Sequence, residues 1–343
     1  MGNVQNKNRI AWVDAAKGIA IIFVLIIHYD RSDAGRVAAL GLMFSVQMFF
    51  FLSGMFANTA KYTIKEYIKR QAKALMLPYA VFSVINIVFH YIFNRGLPSE
   101  VIREIVINII LARRNHMLVA AMWFLPCLFL VSILYKLLAM AIRDKRLLLA
   151  VCFGISAFAR FLLQEPMLVF SANQALRFIV YYSAGDVLYP YLKDMSMESF
   201  KAAAPKKKMF TTTAMVLLAV LVCRLYIKDY IIRISYEYNF AFITSLFVNT
   251  VVIIVFVIML SVLISGFVPL VKIGQNTLGF CCLENIGRAV VNTAMALTGI
   301  GFWADDPLEV VLFNFIAMAA SYVIIVAINR FCPVLFGKSK AKK

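Results

Sequence analysis

The stretch from Arg9 to Tyr29, RIAWVDAAKGIAIIFVLIIHY, constrains this chain more than any other. About 20 apolar residues at a helical rise of about 1.5 Å each cover the hydrocarbon core of a bilayer, so it reads as a membrane-spanning helix. It nevertheless keeps Asp14 and Lys17 near its start and His28 near its end. At about 100° per residue, Lys17 and His28 are about three turns apart with an offset of roughly 20°, which places both on one stripe about 16 Å apart. Asp14 falls within roughly 40° of that stripe. Ionisable side chains within a membrane are costly unless they face protein or a water-filled cavity, so the helix has to turn one polar seam inward. That seam is the first candidate site.

The rest of the chain fits the same surroundings. With 63% hydrophobic and 15% charged residues over 343 positions, the composition is that of an all-α polytopic membrane protein. Apolar runs mark about ten expected spans, roughly residues 10–29, 37–57, 74–94, 118–141, 147–164, 172–192, 209–228, 239–265, 275–298 and 308–331. They form a single transmembrane domain over residues 1–343 with short basic tails. No cleavable signal peptide is expected, because the first helix carries Asp14 and Lys17 and no small-residue cleavage site follows it.

A net charge of +18 raises the question of nucleic acid, and the placement of the cations answers it. Of the 35 Lys and Arg residues, 21 fall on one side of the expected spans, 8 on the other and 6 inside them. This is the asymmetry of a membrane protein with both termini in the cytoplasm, and no soluble basic module is present to bind nucleic acid. The cysteines (Cys127, Cys152, Cys223, Cys281, Cys282 and Cys332) lie in or beside apolar runs without metal-ligand spacing. They read as small core residues, and no metal is expected.

Several stretches admit both structural and functional readings. Asp30 and Asp33, just after His28, are placed to orient an imidazole. In FFFLSGMF, residues 49–56, Ser53 and Gly54 suit close helix packing better than catalysis. The loop Lys61 to Lys73 reads as a cytoplasmic positive-inside loop or as a phosphate clamp built on Arg70 and Lys73, one turn apart, and charge alone does not separate the two. Residues 98–112 form an amphipathic helix at the outer interface, N-capped by Ser99. Arg113, Arg114 and His116 follow it and read as headgroup contacts in preference to contacts with an anionic substrate. Trp123 reads as an interfacial anchor, His90 as a structural helix-end residue, and Lys193 to Met209 as a basic linker. Glu284 and Arg288 are spaced for an i,i+4 pair, while Arg177 has no acid one turn away and needs a carboxylate or a bound phosphate from elsewhere. These last three residues are candidate substrate contacts.

Three motifs in this order resemble the acyltransferase 3 family of integral membrane acyltransferases, which includes bacterial O-acetylases of cell-surface sugars. They are RIAWVDAAKGIAIIFVLIIH with Arg9, Asp14, Lys17, Gly18 and His28, then FFFLSGMF, then KRQAKALMLPY with Arg70 and Lys73. Weaker echoes are Trp123 to Leu125, SAGDVLY around Gly185, and KIGQNTLGFCCLEN from Lys272 to Asn285, so the likeness covers nearly the whole chain. Ser45 and Glu284 stand where many members carry histidine. The resemblance implies acyl transfer, most simply of acetyl, from acyl-CoA as donor substrate to a hydroxyl of a cell-surface or lipid-linked carbohydrate, with no permanently bound cofactor. His28 is then the general base or the carrier of an acyl-histidine, Asp14 and Lys17 complete the catalytic seam, and Lys17, Arg70 and Lys73 hold the CoA end. Such a protein is multi-pass in the bacterial plasma membrane, among its lipids. The other classes are a transporter or flippase, which predicts internally repeated halves that the sequence lacks, and a non-catalytic family member in an envelope assembly.

Overall fold

The computed structural model describes residues 9–29, 36–93, 98–114, 120–162, 168–234, 240–299 and 306–338. The structure is 87% helical, and no strand occurs among the described residues. Helix α1 is Ala11–Tyr29 and α2 is Arg36–Gly54. Helix α3, Ile64–Gln71, continues through a π-helical turn, Ala72–Met76, into α4, Leu77–Phe93. Then come α5 (Ser99–Leu111), a 3₁₀ turn (Ala120–Trp123), α6 (Phe124–Ala141), α7 (Lys145–Leu162) and α8 (Ala172–Leu192). The remainder is α9 (Met197–Ala202), α10 (Pro205–Ile234), α11 (Phe240–Leu263), α12 (Val268–Gln275), α13 (Thr277–Thr298) and α14 (Pro307–Phe331). Among the described residues, four helical runs are long and apolar enough to cross a membrane: Ala11–His28, Ile64–Phe93, Ala121–Ala141 and Leu308–Phe331. Phe44–Gly54 of α2 and Phe247–Leu263 of α11 are shorter apolar stretches. The chain is a helical membrane protein.

Helix α1 is the central element and packs on α2, α11, α12, α13 and α14. In lipid, apolar burial gives helices little reason to associate, so small residues and interhelical hydrogen bonds decide the contacts. A Cβ on Gly274 would overlap the Asp14 carbonyl oxygen, and one on Gly18 would crowd Leu270, so α1 and α12 meet nearly backbone to backbone. Gly54 lies equally close to the Tyr182 backbone and Gly185 to the Phe51 carbonyl, which clamps α2 to α8 in the way SGMF suggests. Polar ties complete the bundle: Asp186 of α8 accepts from Tyr135 Oη at 2.8 Å and pairs with Lys145 Nζ at 2.9 Å. Lys136 Nζ, buried on α6, donates to the carbonyls of Thr59 and Tyr62 and pins the turn after α2.

The structure corrects several readings of the sequence. Much of Lys61 to Lys73 is helix and not loop, because Thr63 and Glu66 form a capping box at the start of α3. Lys193 to Met209 is not a plain linker: Ser196 caps α9, and Pro205, which needs no N–H in a first turn, opens α10. Pro98, not Ser99, occupies the cap position of α5. Cys223 and Cys332 are exposed, so only Cys127, Cys152, Cys281 and Cys282 are core residues.

Candidate active site

The polar stripe of α1 opens onto a cavity of about 420 Å³. Lys17, Ile21, Val24, Ile27 and His28 line it in helical register, so the two ionisable residues joined by the sequence argument share one space. Phe49 and Ser53 of α2, Leu75 of the π turn, and Thr277, Leu278 and Cys281 of α13 form further walls. The long apolar middle separates two polar ends. A helical side chain leans toward its own N-terminus, so Lys17 reaches toward the Arg9 end, where its Nζ lies 6.0 Å from the Phe56 ring centroid.

At the other end, His28 Nδ1 lies 3.2 Å from Glu284 Oε2, with the side chains 19% and 2% exposed. The pair is at ion-pair distance but off hydrogen-bond alignment, since neither atom makes a hydrogen bond. Glu284 Oε1 accepts from Arg288 Nη2, the i,i+4 pair that the spacing predicts. Arg288 also donates from Nη2 to Asn285 Oδ1 at 2.9 Å and from Nη1 to the His28 carbonyl at 3.0 Å. A carboxylate this buried is tolerable because a guanidinium neutralises it, and the same guanidinium ties α13 to the end of α1. The arrangement turns Nδ1 to the carboxylate and leaves the other ring nitrogen for the cavity. Asp30 and Asp33 lie outside the described residues, as does His116; the carboxylate found beside the imidazole comes from α13.

The other expected site residues are placed elsewhere. Asp14 is buried but outside the cavity wall, accepting from Gln275 Nε2 of α12 at 3.2 Å. Arg70 and Lys73 are exposed, and neither lines the cavity; the Arg70 guanidinium lies 4.3 Å from the Tyr62 ring centroid, and Lys73 sits on the π turn just before Leu75. Arg177 donates from Nε to the Ala159 carbonyl at 3.3 Å, and its own carbonyl accepts from Ser156 Oγ at 2.6 Å. It belongs to the α7–α8 contact. Ser45 is fully buried on α2, and its hydroxyl has no hydrogen-bond partner among the described residues.

Two residues read as surface features line the cavity. Trp123 is not an interfacial anchor but 6% exposed within the core, and the Arg114 guanidinium lies 4.7 Å from its ring centroid. Arg114 therefore lines the cavity beside a buried ring. A basic residue near WFLP was a signal for this contact, because guanidinium stacks on indole, but nothing in sequence spacing brings a connecting segment into a cavity.

A helical membrane protein with a histidine and a lysine along one internal cavity is the class these observations define. The sequence pattern of the acyltransferase 3 family, described as an acyltransferase domain, matches residues 10–330, and the chain belongs to this family. No curated protein and no solved structure matches it. Among the described residues no group of three or more His, Cys, Asp or Glu side chains is disposed to hold a metal ion.

Proposed function

We propose that the chain transfers an acyl group, most simply acetyl, from acyl-CoA to a hydroxyl of a cell-surface or lipid-linked carbohydrate. The observation that carries this reading is the single cavity shared by Lys17 and His28, on one stripe of α1. A stripe about 16 Å long suits an extended pantetheine arm with its phosphates outside and its thioester at the imidazole. Lys17 stands at the donor's end, and Arg70 and Lys73, on the exposed face of the same end, attract its phosphates. The charge asymmetry supports a topology in which that end and both termini are cytoplasmic, in a bacterial plasma membrane.

His28 then acts as general base. The free imidazole nitrogen takes the acceptor hydroxyl proton as the oxygen attacks the thioester carbonyl. A C–O bond forms, the C–S bond breaks, and the departing CoA thiolate takes the proton back from the imidazolium. Glu284 orients the ring and stabilises its charged form, so it is a positioning residue. Asp14 acts through α12 and supports Lys17 without reaching the reactants.

The test is acyl transfer from labelled acetyl-CoA in membranes with matched amounts of inserted protein. His28→Ala should lower the rate on the order of 10²-fold to 10⁴-fold, as loss of a general base does, and raising acetyl-CoA should not restore it. Wild-type rates in His28→Ala would remove the mechanism and favour a transporter.

A further inference from the structure

The acyl-transfer reading leaves the acceptor's chemistry open, and Arg114 bears on it. This guanidinium lines the cavity with its Cζ over the buried Trp123 ring, 4.7 Å from the centroid. Among the described residues it has no carboxylate, carbonyl or hydroxyl partner. A cation–π contact takes the charge of a guanidinium but supplies no acceptor for its N–H donors, and those donors form the fork that matches a carboxylate or phosphate. A partly desolvated cation without a counter-charge is unfavourable until an anion joins it.

Two hydrogen bonds place Arg114 in the His28 half of the cavity. Ser171 Oγ donates to the Ala112 carbonyl at 3.0 Å, and Ser171 opens α8, about three turns before Tyr182, which packs on Gly54 near the Lys17 end. On the far side of the connection, the Ala121 carbonyl accepts from Cys281 Sγ at 3.3 Å, and Cys281 lies one turn before Glu284, the partner of His28. Donor phosphates belong at the opposite end, beside Lys17. A cation beyond the thioester, on the side from which the nucleophile arrives, serves the other substrate.

Resting on the acyl-transfer reading, we propose that the acceptor is an anionic carbohydrate whose carboxylate or phosphate is held by Arg114 while its hydroxyl meets His28. Arg114 is then a specificity-determining contact, and a neutral sugar is a poor acceptor.

The experiment uses the full chain in nanodiscs of zwitterionic lipid. A glucose oligosaccharide, its glucuronate counterpart and its phosphorylated counterpart are compared in two readouts. The first is tryptophan fluorescence, with Trp123→Phe used to isolate that ring's signal; the second is acyl transfer from labelled acetyl-CoA. One charged member should bind on the order of 10-fold to 100-fold more tightly than the neutral one, as charge-assisted hydrogen bonds provide, and the two charged arms separate carboxylate from phosphate. Arg114→Gln should abolish that preference, Arg114→Lys should keep part of it, and both should leave KM for acetyl-CoA unchanged.

Equal binding of neutral and charged sugars by the wild type would overturn the proposal, as would a preference surviving in Arg114→Gln. A fluorescence response to phosphatidylglycerol in place of sugar would return Arg114 to lipid, and a raised KM for acetyl-CoA in Arg114→Gln would assign it to the donor. Charge-selective binding without transfer to any sugar would sustain the anion site and sink the acyl-transfer reading. Transfer without charge selectivity would do the reverse.

Discussion

The two ends of α1 carry ionisable groups of similar cost and treat them in opposite ways. At the Arg9 end, Asp14 sits in a contact so close that Gly274 has no room for a Cβ, and its carboxylate is held by an uncharged amide, Gln275 Nε2 at 3.2 Å. At the other end, His28 is 19% exposed, stands 3.2 Å from a nearly buried carboxylate, and opens onto the cavity. One end is fixed by backbone packing, the other is held by charges and left accessible. A charge in a membrane helix can thus be architecture or chemistry, and the distinguishing mark is cavity access, not burial.

The largest expected effect tests the packed end. Gly274→Ala drives a methyl into the Asp14 carbonyl, and since both partners are helix backbone, the helices must separate. Overpacking typically costs about 1–3 kcal/mol, and backbone-to-backbone contact has the least means of relaxing. The yield of folded protein and its thermal midpoint in detergent should both fall. Unchanged stability would show that the α1–α12 contact tolerates separation and would weaken the contrast between the ends.

A smaller effect, read chiefly in the chemistry, is expected at the open end. Glu284→Gln keeps the shape and an acceptor for Arg288 but removes the negative charge beside the imidazole. The expected loss is on the order of 10²-fold in kcat with KM for acetyl-CoA little changed, because the charge is needed most when imidazolium forms. Glu284→Asp should recover part of it. Equal loss of folded protein in both variants would make Glu284 purely structural.

How far the sequence anticipates this division depends on the range of the contact. The shared stripe of Lys17 and His28 and the Glu284–Arg288 pair follow from helical periodicity, which is local. The capping box at Thr63 and Glu66 is equally local and legible, although five nearby cations give the stretch the look of a loop. The contact joining the two motifs was not legible: Arg288 reaches the His28 carbonyl across 260 positions of chain, and no periodicity encodes which helices adjoin. The same holds for α12, whose eight residues are too short for a spanning signal yet supply Gln275 and Gly274 to the packed end of α1. The place of Arg114 over Trp123 is not legible either, because connecting segments usually face water or headgroups and this contact depends on a tertiary fold-back.

The smallest expected effect compares cations inside and outside the cavity at the Arg9 end. Lys17 lines the cavity, while Arg70 and Lys73 stand exposed, and a solvent-screened charge contributes less than one in a partly desolvated wall. Lys17→Ala should raise KM for acetyl-CoA on the order of 10-fold, with kcat at saturating donor nearly preserved, since phosphate contacts common to ground and transition states act on binding. The double variant Arg70→Ala, Lys73→Ala should raise KM only a few-fold, and that increment should shrink as salt rises, whereas the Lys17 effect should persist. Initial rates over a donor series at two ionic strengths separate them. If the double variant proves the more damaging, or its effect resists salt, the exposed pair is a true phosphate clamp, and the donor's headgroup sits on α3 and the π turn instead of at the cavity mouth.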